Sequence, residues 1–448
     1  MQSYMLIPLL SLLALMMPWA AGNAEAPAYD DWFTESTLRL DYVFAGDASR
    51  QQIFFMEAFR GGVWAGRRSH LDEALLRGNG EIRVLAPEDG KTLYVNSFST
   101  LFREWVGYEE ATQLSRGFEN CFLVPFPKAP VQVEVRLWDS HGKETACLRH
   151  KVDPADILIR QVGETGNETR TLHDGGQLPK AVDVAVVSDG YTAEQRDKFF
   201  ADAARLRDAI LSHDPFASRE GQFNFRAVFA PSEESGPSIP HEGHWVQNAL
   251  GSHFDTFYSQ RYLTTSRMRK VYDALGTVPF EQIVVLVNTP VYGGGGIYNS
   301  ITIMGSDHAT FNEVIVHEFG HAFGGLADEY YYDDMYESPY PLSVEPWEPN
   351  ITTLVDFGSK WADMLAPGTP VPTPVDDPKA DFRKIWSTLP AEQKAELNTR
   401  LGVFEGGGYT SHGVYRPVRE CRMKINECEL FCPVCTRALE RMIDFLTK

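Results

Sequence analysis

The chain has 448 residues, of which 43% are hydrophobic and 23% charged, and these globular values exclude collagen-like, coiled-coil and wholly disordered chains. That length exceeds what one hydrophobic core usually serves, so two to three domains are expected. A formal net charge of −20 argues against nucleic acid or an anionic membrane surface as partner, because phosphate contacts need clustered Lys and Arg.

Residues 1–24 read as an export signal, with an apolar run over 5–19 and then the small residues Ala20, Ala21, Gly22, Asn23 and Ala24. No Lys or Arg precedes the run, and a membrane anchor is the alternative reading. No later stretch is apolar for long enough to span a bilayer. The mature protein is therefore expected to be secreted, periplasmic or at the cell surface, without a membrane span, and monomeric.

Residues 25–160 carry short alternating segments at 38–44, 82–85, 92–98 and 131–138, separated by turn signals such as Asp89-Gly90 and His141-Gly142. They predict a β-sandwich-like N-terminal domain with no visible chemistry. Residues 161–179, rich in Gly, Thr, Asn and Asp, read as a linker. A second domain is expected over 180–448. Its first strand lies at 181–187, and Thr192 with Gln195 forms a capping box for a helix reaching 211. Further strand-like runs at 223–229, 283–287 and 297–304, the last following Gly293 to Gly296, imply an α/β domain with a mixed sheet and an α+β chain as a whole. The Pro- and Trp-containing stretch 338–379 reads as a surface insertion, and a last helix is expected over 434–446.

Six cysteines in an exported chain permit three disulfides. Cys121 and Cys147 stand alone, whereas Cys421, Cys428, Cys432 and Cys435 crowd the C-terminus. A disulfide from Cys421 to Cys432 or Cys435 is expected. A structural zinc site is the alternative, disfavoured by the lack of a second CxxC or a neighbouring His pair.

The chemistry lies in 310–325, TFNEVIVHEFGHAFGG, where Thr310 and Glu313 form a capping-box start, an apolar face follows and Gly324-Gly325 stops the helix. His317 and His321 stand one turn apart, so both imidazoles leave the same face and can bind one metal ion. Glu318, beside that face, can take a proton from an activated water and return it to a leaving amine. Against this stands a chance HExxH, which the independently predicted helix makes less attractive. His241, Glu242 and His244 form an HExH in a Ser-, Pro- and Gly-rich loop and read as surface polar residues or a substrate-side rim. A catalytic zinc usually has three protein ligands. The third is assigned to Asp328, just past the Gly324-Gly325 break, with Glu329, His308 and His412 as competitors. In the main rival reading Asp328 only orients a ligand His.

The run HEFGHAFGGLADEY resembles the signature of the IgA-specific metalloendopeptidase family. AVVSDGYT at 185–192, GGGYTSHGVYRP at 406–417 and CRMKINECELFCPVC at 421–435 are similar to further blocks of that family. The resemblance covers 181 to the C-terminus and implies a metzincin-like α/β zinc peptidase domain, with Zn2+ as cofactor and a protein or peptide as substrate. The family name points to immunoglobulin; mucin, another glycoprotein or another host protein stays open. The metzincin pattern HExxHxxGxxH is broken here, because Ala327 occupies its third ligand position and an acidic residue stands one place later. Met423 is the candidate for a Met-turn beneath the metal, or else an ordinary core Met. Tyr409 or Tyr415 is the candidate phenol for stabilising an oxyanion, with Tyr409 preferred. By analogy with such sites, 297–304 is the expected edge for docking extended substrate.

Overall fold

The computed structural model describes residues 26–332, 339–375 and 382–448. The export signal expected at 1–24 lies outside them, and no helix among them is long and apolar enough to cross a membrane.

The N-terminal domain follows a short helix α1 (Tyr29–Trp32) and is built from β1 (Phe33–Gly46), β2 (Gln51–Val63), β3 (Gly80–Leu85), β4 (Thr92–Phe98), β5 (Arg116–Pro127), β6 (Val131–Trp138), β7 (Glu144–Val152) and β8 (Arg160–Gln161), with α2 (Leu101–Trp105) between β4 and β5. The strands form two four-stranded sheets, ordered β5-β1-β2-β8 and β4-β3-β6-β7. Alternation explains the pairing of their faces: Val131, Val133, Val135 and Leu137 of β6 point into one core with Leu38, Leu40 and Phe44 of β1. The expected sandwich-like layout is present.

The second domain holds a six-stranded sheet ordered β13-β14-β12-β10-β11-β9, from β9 (Glu168–Asp174), β10 (Val182–Asp189), β11 (Phe223–Phe229), β12 (Gln282–Val287), β13 (Gly294–Ile297) and β14 (Ile301–Gly305). The four central strands are parallel and the two edge strands antiparallel. Continuous apolar strands such as VDVAVV suit a sheet covered on both faces. Val182, Val184 and Val186 face α3 (Arg196–Leu211), α5 (Phe311–Gly324) and α7 (Pro433–Thr447). Ala185 and Val187 face the opposite layer, with α4 (Met268–Leu275) and Cys121 of the N-terminal domain. A small sheet of β15 (Tyr331–Tyr332), β16 (Phe404–Gly407) and β17 (Tyr409–Arg416), preceded by α6 (Ala391–Thr399), completes the domain.

Three expectations change. The stretch 161–179 is not all linker, because β9 pairs with β11 along 168–174. Its composition hid it: as an edge strand it carries polar residues, and Glu168 bridges Arg170 and Arg196. The run 297–304 is not one strand but a hairpin, and the glycines themselves form its outer arm β13. The insertion, described over 339–375, is not superficial. Trp361 is fully buried and donates to Gly402 O at 2.8 Å, while Asn350 and Ile351 are also buried.

The domains meet where the site needs support. Ser99 N–H donates to Tyr298 O at 2.9 Å, and Asn299 Nδ2 donates to Asn96 Oδ1 at 2.9 Å and to Ser97 O at 2.7 Å. The N-terminal domain thus braces the turn of the β13–β14 hairpin.

Candidate metal centre

Helix α5 carries the histidines, and its apolar residues explain its seat: Val314, Ile315, Phe319, Ala322 and Phe323 are buried, the core face of an amphipathic helix. The start differs from expectation, since Thr310 makes no side-chain cap and its hydroxyl instead meets His308 Nδ1 at 2.9 Å. The stop follows the glycines. Gly325 adopts the left-handed region at φ 60°, and its N–H donates to His321 O at 3.0 Å.

After that reversal the chain runs extended. Ala327 is clamped by Asn350, which accepts from its N–H at 2.7 Å and donates to its carbonyl at 2.9 Å. Gly408 N–H donates to Asp328 O at 2.9 Å, and Glu329 N–H to Met423 O at 2.8 Å. This scaffolding turns Asp328 back toward the helix. Its Oδ1 lies 3.0 Å from His317 Nε2 and 3.2 Å from His321 Nε2, and the two Nε2 atoms are 3.0 Å apart. The three donor atoms all lie within 4.8 Å of one another.

The imidazoles are aimed by the backbone. His317 Nδ1 lies 2.9 Å from Arg422 O and His321 Nδ1 2.5 Å from Leu326 O. A carbonyl can only accept, so each Nδ1 carries a proton and each Nε2 is the atom aimed at the shared point, able to offer its lone pair there once it is deprotonated. Burial alone would lower the pKa of His321, but the Asp328 carboxylate outweighs it and pushes His321 up to about 9. Asp328, although burial opposes this, is held well below the usual carboxylate range by the two histidines.

Glu318 stands beside the cluster. Burial raises its pKa, the two imidazoles pull it back, and the Gly296 backbone N–H bonds to it. Strand β13 can approach this closely only because residue 296 lacks a side chain: a Cβ there would sit 2.1 Å from Glu318 O and 2.9 Å from His321 Cβ.

Tyr409 donates its hydroxyl to Asp328 Oδ2. In this arrangement it positions a carboxylate rather than offering its proton to an oxyanion. Tyr415 lies further along β17, pairing with Thr352 through the backbone. His308 is engaged with Thr310, and His412 is exposed beside Glu405. His241 pairs with Asp255 in its loop. Glu329 faces away from the histidines, toward Cys421, Cys432 and Cys435. Sequence reasoning missed Asn350, which sat in the supposed surface insertion, and Tyr330, whose ring packs 5.4 Å from Tyr409 and whose hydroxyl bonds to Asp328. Asn350 left no motif by which to find it, whereas Tyr330 closes the HEFGHAFGGLADEY run and was passed over there.

All six cysteines are free thiols, and Cys421 Sγ stands 3.8 Å from Cys435 Sγ, so the expected disulfide is not formed. The backbone of 421–435 brings three sulfurs to one point together with a carboxylate rather than pairing two of them.

The family profile of IgA Peptidase M64 matches residues 171–397 and 387–443, and that of the Peptidase M64 N-terminus matches 28–149. The chain belongs to the M64 peptidase family. A comparison with curated proteins finds no match. Both M64 segments coincide with the domains described above: the N-terminal match ends within β7, and the peptidase match opens inside β9. The boundary at 161–179 therefore cuts into the peptidase segment. The M64 assignment makes this a hydrolase family of peptidases, and the His317–His321–Asp328 group is one that could hold a metal ion.

Proposed function

We propose that this M64 chain is an exported, zinc-dependent endopeptidase in which His317, His321 and Asp328 hold the metal and Glu318 is the general base and acid. The observation that carries the reading is the convergence of three donor atoms on one point, with both Nδ1 atoms anchored on carbonyls. Two neutral imidazoles and a carboxylate suit a catalytic zinc with an open position. Bound zinc supplies Lewis acidity, toward a scissile carbonyl and toward the attacking water. Glu318 takes the water proton and delivers it to the amine nitrogen as the peptide bond breaks; its half-buried setting keeps its basicity above that of an exposed carboxylate. Tyr409 holds Asp328 in place through Oδ2.

The metzincin-like comparison finds support beneath the helix: Met423 is fully buried, and a Cβ on Gly320 would lie 3.0 Å from its Sδ. For substrate, β13 replaces the earlier expectation. Among the described residues it pairs with β14 alone, and it lies against Glu318, so an extended protein segment can add to its outer edge and present its backbone to the centre.

The test incubates the purified protein with a mixture of protein substrates, with and without chelator, and sequences the cleavage sites. Internal cuts that stop with chelator are expected. Cleavage indifferent to chelator, or none, rejects the reading. Glu318→Gln should lower the rate about 100-fold or more with zinc retained. A variant keeping a tenth of the rate excludes Glu318 as base.

A further inference from the structure

We propose that Glu329, Cys421, Cys432 and Cys435 form a second, structural zinc site, distinct from the histidine centre. The four donor atoms lie within 4.8 Å of one another, and all four residues are fully buried. Cys421 and Cys435 hold their sulfurs 3.8 Å apart, and Cys435 Sγ is 3.2 Å from Glu329 Oε1. Thiolates about 2.3 Å from a tetrahedral zinc stand roughly 3.8 Å from each other, whereas a disulfide joins them at about 2.05 Å.

A second observation points to a cation. Glu329 Oε1 accepts from Asn350 Nδ2 at 2.9 Å, but its Oε2 is buried with no hydrogen-bond partner among the described residues. A buried carboxylate oxygen left without a donor among three thiols is costly unless a positive ion compensates it.

The donor set selects the ion. Three sulfurs and one oxygen suit zinc rather than calcium or magnesium, and four buried protein donors leave no open position for chemistry. The local fold favours thiolates: Cys432 is the N-cap residue of α7 and Cys435 lies in its first turn, where the helix dipole favours negative charge. The backbone N–H of Cys432 also donates to Cys421 Sγ at 3.3 Å. Arg416 acts on Glu329 and Arg422 on Cys421, so two further cations share the ligands' negative charge with the metal.

The site's role follows from its connections. Asp328 and Glu329 are consecutive residues of an extended segment and face opposite sides, one toward each cluster. Arg422, next to Cys421, supplies the carbonyl that orients His317. A zinc held by Glu329 and the three cysteines would clip the Asp328 segment, the 421–423 turn and α7 together.

The experiment measures the metal content of the full exported chain and the absorption spectrum of its cobalt-substituted form. Wild type should carry two zinc ions per chain and, with cobalt, show thiolate charge-transfer absorption. Cys435→Ser should lose one zinc and that absorption, whereas His317→Ala should lose the other zinc and keep the absorption. If Cys435→Ser fails to fold, the wild-type spectrum and the His317→Ala comparison still decide. A single zinc that disappears in His317→Ala, or a peptide map linking Cys421 to Cys432 or Cys435, overturns the proposal. Thiolate absorption without any metal at the histidines would leave this site standing and reject the proposed peptidase centre.

Discussion

Replacing Gly296 with Ala tests how β13 serves the centre. The Cβ would meet Glu318 O at 2.1 Å, where ordinary contact begins near 3.4 Å, so strand and helix must part by about 1.3 Å. Because the obstruction is helix backbone, no rotamer relieves it. Gly296 does not occupy the left-handed region, so the effect is steric and not conformational. Overpacking of this kind costs about 1–3 kcal/mol, and a displacement of about 1 Å at a reacting group costs roughly 100-fold in rate. Urea unfolding and hydrolysis of a protein substrate report the two effects. Gly295→Ala is the control, since its Cβ meets only the Tyr262 ring, at 3.1 Å, and that side chain can yield. A Gly296→Ala protein with wild-type turnover and unfolding midpoint, or one indistinguishable from Gly295→Ala, refutes the idea that this contact sets the site.

Asp328→Ala should lower chelator-resistant zinc by one ion per chain and abolish hydrolysis; unchanged zinc content would return Asp328 to an outer, orienting role. Tyr409→Phe removes the hydroxyl that holds Asp328 Oδ2 and should weaken zinc binding about 10- to 100-fold, measured by chelator competition, with an unaltered affinity counting against that positioning. Zinc affinity should also climb with pH. Free His321 is protonated up to about 9 rather than its ordinary 6.5, so below that point zinc must displace a proton, at a cost of about tenfold per pH unit. Chelator competition between pH 6.5 and 9 that gives a flat or falling affinity contradicts this.

The parallel strands were legible because each is a short, mostly apolar run bounded by turn signals, and the span 223–229 read from sequence coincides with β11. The α5 helix was legible through its apolar face and terminal glycines, and the His pair through its spacing. What escaped depends on partners distant in sequence. β9 is polar because it is the edge of its sheet, and β13 holds Gly296 where its neighbour is helix backbone, which reverses the usual rule that glycine disfavours strands. The Thr310–Glu313 pattern promised a cap, but His308 competes for the hydroxyl. Asp328 could be placed near the histidines by the chain reversal alone, whereas the clamp that holds it, Asn350, lies 22 residues further on. Cysteine spacing could not separate a disulfide from a four-donor cluster, because the deciding member, Glu329, lies far from the cysteines in the chain.

Both histidines are oriented by main-chain oxygens, from Arg422 and Leu326. No side-chain replacement can delete either acceptor, so an alanine scan would pass over them and score positions 422 and 326 by their unrelated packing. The imidazole alignment answers to chain path and not to residue identity. Losing the C-terminal tail would therefore disarm His317 while every residue of the HEFGH motif stayed in place.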